Sequence, residues 1–188
     1  MWKFIGFILV VLSIAILGAV VVGFYYNLAK FRREVEDSWS YIDDELENKI
    51  NLVDKLVETA KKDVVHGNIV LKNLVEAQSW LAYAETVKET REANNNLTVA
   101  IEDLFVVLED YPDLVSPERL GELMEQLEEN EYLIEEYGYL YNEMAYVYNN
   151  KLQTFPSNVV ANYFGLEYAE YFEPGGEASV GKELDSDS

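Results

Sequence analysis

The stretch that decides the fold is Phe4-Ile5-Gly6-Phe7-Ile8-Leu9-Val10-Val11-Leu12-Ser13-Ile14-Ala15-Ile16-Leu17-Gly18-Ala19-Val20-Val21-Val22-Gly23. No charged residue occurs between Lys3 and Lys30. The hydrocarbon core of a bilayer takes about 20 consecutive apolar residues of helix to cross. A helix closes its own backbone hydrogen bonds, so such a segment leaves no orphaned N–H group in lipid. Trp2 stands at one end and Tyr25-Tyr26 at the other, where amphipathic rings settle at the membrane–water boundary. A signal peptide has a shorter apolar region, about 7–15 residues, and ends in small residues. Gly23-Phe24-Tyr25-Tyr26 is too bulky for that. A buried core helix of this length needs a larger domain around it than the remaining chain supplies. The reading is an uncleaved single-pass anchor.

Beyond the anchor the pattern is helical at once. Leu28, Phe31, Val35, Trp39, Ile42, Leu46, Ile50, Val53, Val57, Ala60 and Val64 step by three or four along one stripe. No Pro or Gly interrupts Tyr25 to His66, so the anchor is expected to run straight into a long first bundle helix. His66-Gly67-Asn68 ends it, since Gly takes the left-handed conformation that closes a helix. Val70, Leu74, Ala77, Leu81 and Ala84 mark a second helix. Lys88 to Asn96 is polar with three asparagines, and a break is expected there because Asn competes with helical hydrogen bonding. Leu97, Ile101, Leu104, Leu108 and Tyr111 form a third stripe, stopped by Pro112. Ser116-Pro117-Glu118 reads as a helix start, with Ser as N-cap and Pro at the first position. The fourth stripe runs from Leu120 to Leu152, with a weak step at Asn130-Glu131, and ends before Phe155-Pro156. Phe155 is expected to close the bundle base, with Ser157 or Asn158 capping a short helix from Val159.

The expected fold is all-α: an N-terminal transmembrane helix followed by a long antiparallel, up-down four-helix bundle. The short second and third helices would pack on the distal part of the long pair. If residues 88–96 are helical, the second and third helices fuse into a three-helix bundle instead. The chain divides into a flank at 1–3, an anchor at 4–26, a bundle at 27–172 and a tail at 173–188. The tail lacks periodicity and large apolar groups and reads as disordered.

Acids outnumber bases 35 to 14, and the net charge of −21 repels nucleic acid and anionic lipid headgroups and favours basic or cationic partners. With no cysteine there is no disulfide framework, thiol nucleophile or thiolate metal site. The one histidine cannot build a di-iron bundle site, which needs two Glu-x-x-His segments. No zinc-protease helix, phosphate loop or nucleophile elbow is present. The carboxylate clusters Asp43-Asp44-Glu45, Glu128-Glu129 and Glu135-Glu136 are expected on solvated helix faces, unlike the contrasting buried pair that acid–base catalysis requires. No cofactor or metal is expected. Tyr137, Tyr141 and Tyr148 fall on the core stripe, whereas Tyr132, Tyr139 and Tyr146 share another face and are candidate interface anchors. Phe164, Tyr171 and Phe172, in the aromatic-rich end, are further interface candidates that an up-down bundle brings near the bilayer.

Several segments together resemble the LemA family of membrane-anchored bacterial bundle proteins. They are Tyr26-Asn27-Leu28, Arg32-Arg33-Glu34-Val35-Glu36-Asp37-Ser38-Trp39-Ser40-Tyr41-Ile42-Asp43, Leu56-Val57-Glu58-Thr59 and Tyr111-Pro112-Asp113-Leu114. Tyr141-Asn142, Tyr148-Asn149, Phe155-Pro156-Ser157-Asn158-Val159-Val160-Ala161, Phe164-Gly165 and Tyr171-Phe172 follow in order. The resemblance implies an antiparallel helical bundle on one N-terminal anchor, mostly on the cytoplasmic side, and it implies no established enzymatic activity. The chain departs from the family pattern at Asp54 (a Pro), Gly67 (a Glu) and Gly138 (an Arg).

The expected function is a non-enzymatic scaffold or interaction module at the cell membrane. The alternative is an accessory subunit or cryptic enzyme of a membrane complex, with a ligand site in the bundle. Partners would be the bilayer, through residues 4–26, and an unidentified protein. Ala15 and Ala19 give a small-xxx-small step for self-association. Lys30, Arg32 and Arg33 against Lys3 and the chain amine lean the domain to the cytoplasm.

Overall fold

The computed structural model describes residues 2–61, 69–109 and 117–172. Five helices follow in order: α1 (Trp2–Lys61), α2 (Ile69–Ala82), α3 (Val87–Glu109), α4 (Pro117–Gln153) and α5 (Ser157–Phe164). Helix α1 contains the apolar N-terminal segment and the first bundle helix without a joint. It is long and apolar enough to cross a membrane, and none of its most apolar window is buried in the protein. That lack of burial separates it from a core helix.

Past Tyr26 the same helix becomes the spine of the core. Leu28, Val35, Ile42, Lys49 and Leu56, at intervals of seven, are all buried. A seven-residue repeat keeps one seam facing a partner helix. The partner is α4, which runs antiparallel: Lys151 meets Phe31, Tyr141 meets Trp39 and Glu131 meets Lys49. Helices α2 and α3 pair with each other and cover the distal part of α1, where Gln78 Nε2 donates to Ile50 O and Asp54 Oδ1 at 3.2 and 2.8 Å. The antiparallel four-helix arrangement expected from the sequence is present.

The expected break at Lys88–Asn96 is not. Helix α3 runs through it, and the turn lies earlier, at Tyr83-Ala84-Glu85-Thr86. A capping pair sets the start. Thr86 Oγ1 accepts from Glu89 N at 3.1 Å, and the Glu89 carboxylate accepts from Glu85 N at 3.2 Å. Thr90, Ala93 and Asn94 then face the core, so packing overrides the weak helix preference of the asparagines. Helices α2 and α3 therefore stay separate, and the three-helix alternative does not arise. His66-Gly67, Pro112, Ser116 and the tail from residue 173 lie outside the described residues.

At the other end of the bundle, Phe155 does not close the base; it is 78 % exposed. Helix α5 begins at Ser157 rather than Val159. The Ser157 hydroxyl does not cap it but donates back to Lys151 O and Thr154 O at 2.6 and 2.8 Å, satisfying carbonyls at the end of α4. Gly165 ends α5 in the left-handed conformation, φ 64°. Residues 166–172 then climb back along α4 as a strap. Tyr148 Oη donates to Glu167 O, Tyr141 Oη to Glu170 O, and Asn149 pairs with Ala169 through both its amide groups. Phe172 N donates to Asn142 Oδ1 at 2.9 Å, and the ring packs against Trp39 at 5.8 Å. A Cβ at Gly138 would lie 2.8 Å from Phe172 Cδ1, so glycine at this position leaves room for the last ring of the strap.

Two outcomes check the strap in thermal or urea unfolding of the detergent-solubilised protein. Phe172→Ala should cost about 3 kcal/mol. Gly138→Ala should be neutral or destabilising alone, yet stabilise the Phe172→Ala protein by up to about 1 kcal/mol, when only helix propensity remains. Burial, with the Glu170 charge adding to it, pushes the Tyr141 hydroxyl up to about 12. The unfolded chain then loses this proton before the folded one, so stability should fall between pH 10 and 12. Tyr141→Phe should cost about 1 kcal/mol at neutral pH and abolish that part of the alkaline fall.

Candidate functional site

The buried seam of α1 carries one cation. Lys49 is 1 % exposed and holds a heptad position otherwise filled by Leu, Val or Ile. All three hydrogens of its ammonium are engaged: by Asn94 Oδ1 at 2.8 Å, by Thr98 Oγ1 at 2.7 Å and by the Glu131 carboxylate. Asn94 and Thr98 come from adjacent turns of α3, and Glu131 from α4. One step along α4, Asn130 Nδ2 donates to Glu45 O and Glu45 Oε2, both at 2.9 Å. Three helices thus meet in one polar layer. Burial lowers the Lys49 pKa, while the charges of Glu131 and Glu102 and the Glu131 hydrogen bond oppose that shift.

Above this layer a groove of about 340 Å³ opens between α3 and α4. Lys49, Thr98 and Glu131 form its polar end. Ile101, Phe105 and Val106 from α3 and Met124 and Leu127 from α4 make apolar walls, and Glu102, Glu109 and Glu128 add carboxylates. A lysine with a lowered pKa in an apolar pocket is a pattern of amine nucleophiles. Here the nitrogen is enclosed and fully engaged, so the arrangement serves as a structural polar layer beneath an acidic-rimmed apolar groove. Among the described residues no group of three or more His, Asp or Glu side chains is placed to hold a metal ion.

The tyrosines and phenylalanines singled out from the sequence do not form one site. Tyr132 and Tyr139 are exposed and Tyr146 is half-buried. Tyr132 lies one turn beyond Glu128 on the same stripe of α4, so this face continues from the groove. Phe164 is at the opposite end of α4, its ring 4.6 Å from that of Tyr25. Tyr171 is half-buried, and Phe172, at 3 % exposure, belongs to the core instead of an interface. The three-or-four stripe does not reveal the Lys49 layer, because a lysine beside the apolar positions reads as solvent-facing. The strict seven-residue spacing from Leu28 to Leu56 was the available signal.

The polar layer has a specific signature on mutation. Glu131→Ala leaves the Lys49 charge buried without its carboxylate and should cost about 3–5 kcal/mol. Lys49→Met, which removes the charge and keeps much of the volume, should cost clearly less. Stability of the native protein should rise as pH climbs from the lowered Lys49 pKa towards 10.5, because the unfolded chain binds the proton more tightly there. Lys49→Met should lose that rise in melting curves taken across pH.

Comparison with known proteins places this geometry. No curated protein matches the chain significantly. The sequence profile of the LemA family matches residues 38–183, which spans the bundle from the middle of the α1 seam to beyond the strap. With its unbroken N-terminal apolar helix and its antiparallel helical bundle, the chain belongs to the LemA family.

Proposed function

We propose that this protein is a non-enzymatic, single-pass membrane scaffold whose bundle stands on the cytoplasmic face and presents a docking surface to other proteins. The observation that carries this reading is the continuity of α1 from its exposed apolar window into the buried seam at Leu28. A helix without a joint fixes the direction in which the bundle leaves the bilayer, as a scaffold requires. Lys30, Arg32 and Arg33 just after the apolar run support the cytoplasmic side. The docking surface is the α3–α4 groove together with Tyr132 and Tyr139. Its apolar walls and carboxylate rim suit a basic amphipathic segment, in keeping with the net charge of −21. The full engagement of Lys49 supports the absence of a reaction centre.

Proximity labelling around the native protein tests this. Neighbours should be dominated by one membrane complex. Tyr132→Ala/Tyr139→Ala should lose those neighbours while leaving the melting temperature within a few degrees. Scattered neighbours, unchanged by the substitutions, would overturn the scaffold. A small molecule retained by the detergent-purified protein and displaced by Val106→Glu would make the groove a ligand site instead.

A further inference from the structure

Charge is distributed unevenly over this chain. Residues 152–166 contain no charged side chain, although 26 % of the whole sequence is charged. The segment spans the end of α4, the cis Phe155–Pro156 peptide and all of α5. Helix α5 buries Val160 and Ala161 against the bundle. On its outer side Val159 and Tyr163, four residues apart, are 59 and 82 % exposed, with the uncharged Asn162 between them, and Phe155 in the turn before the helix is 78 % exposed. Leaving these side chains in water is unfavourable, at about 25 cal/mol per Å² of apolar surface.

The position of α5 identifies what covers them. The Phe164 ring lies 4.6 Å from Tyr25 and 5.0 Å from Tyr163. Tyr25 follows the apolar run by one residue beyond Phe24, at the depth where a span of about 20 residues meets the headgroups. Exposed Tyr26 adds a ring at the same level. Aromatic rings concentrate in that zone. If α1 spans the bilayer, the same chain holds lipid beside this end of the bundle.

We propose that α5 is a foot seated in the headgroup interface, with Phe155, Val159 and Tyr163 in contact with lipid, so that the bundle touches the membrane at two places. The proposal rests on α1 spanning the bilayer. The absence of cysteine allows single labels. Tyr163→Cys and Val159→Cys, each carrying a nitroxide, would be reconstituted as full-length protein in phosphatidylcholine vesicles, with Tyr132→Cys as the aqueous reference. Power saturation should show both foot labels severalfold more accessible to oxygen, relative to a water-soluble nickel chelate, than the reference label. Nickel accessibility equal to the reference would overturn the foot. Exclusion of both reagents would also overturn it, because these side chains would then be covered by protein, such as a second copy. Flotation of the vesicles after carbonate washing tests the span separately: protein left in solution removes the anchor, and floating protein with water-exposed labels removes the foot alone.

Discussion

The buried ammonium of Lys49 constrains how α1, α3 and α4 fit together. A cation enclosed by protein is costly unless its charge and all its hydrogens are met. Asn94, Thr98 and Glu131 meet them in one relative placement of three helices. A one-heptad slip of α4 would bring Met124 or Gly138 opposite the lysine and leave it without a carboxylate. The apolar seams of α1 and α4 consist largely of Leu, Ile, Val and Ala and tolerate such a slip far better. The polar layer therefore contributes register, and the apolar seam contributes most of the burial. Asn130 on Glu45 repeats the logic one step away.

The half of the bundle next to the apolar segment of α1 is held differently. Helices α2 and α3 are too short to cover it, so the chain covers it with its own end. The strap has no regular hydrogen-bond ladder, and its backbone groups are met by α4 side chains: Tyr141, Asn142, Tyr148 and Asn149. Each is a polar residue on the core-facing side of α4, and each is buried because a backbone group of the strap reaches it. Trp39, Tyr141 and Phe172 fill the space between, and Gly138 provides the room for the last ring.

These two halves give the molecule different faces. The distal half has a groove with apolar walls and a carboxylate rim, and the proximal half has a charge-free foot beside the apolar end of α1. An uninterrupted α1 links them, so neither face turns independently of the other.

Much of this was legible in the residues. The apolar run, the stripes beyond it and the breaker at Pro156 point to helices, their order and a long-short-short-long pattern, because helical periodicity and chain breakers act locally. The end of α2 and the start of α3 were also readable, in Thr86-Val87-Lys88-Glu89, but the asparagines that follow pointed the other way. The inward placement of Asn94 answers Lys49, far away along the chain, and no local rule carries that information. The same holds for Phe172, an exposed aromatic by position and a core residue by packing, and for Phe155, the reverse. The sequence by itself determined that an apolar helix leads into a bundle of helices. Only the tertiary structure decided which polar residues are buried and which rings remain outside, because burial depends on what another segment places opposite, not on the residue's own neighbours.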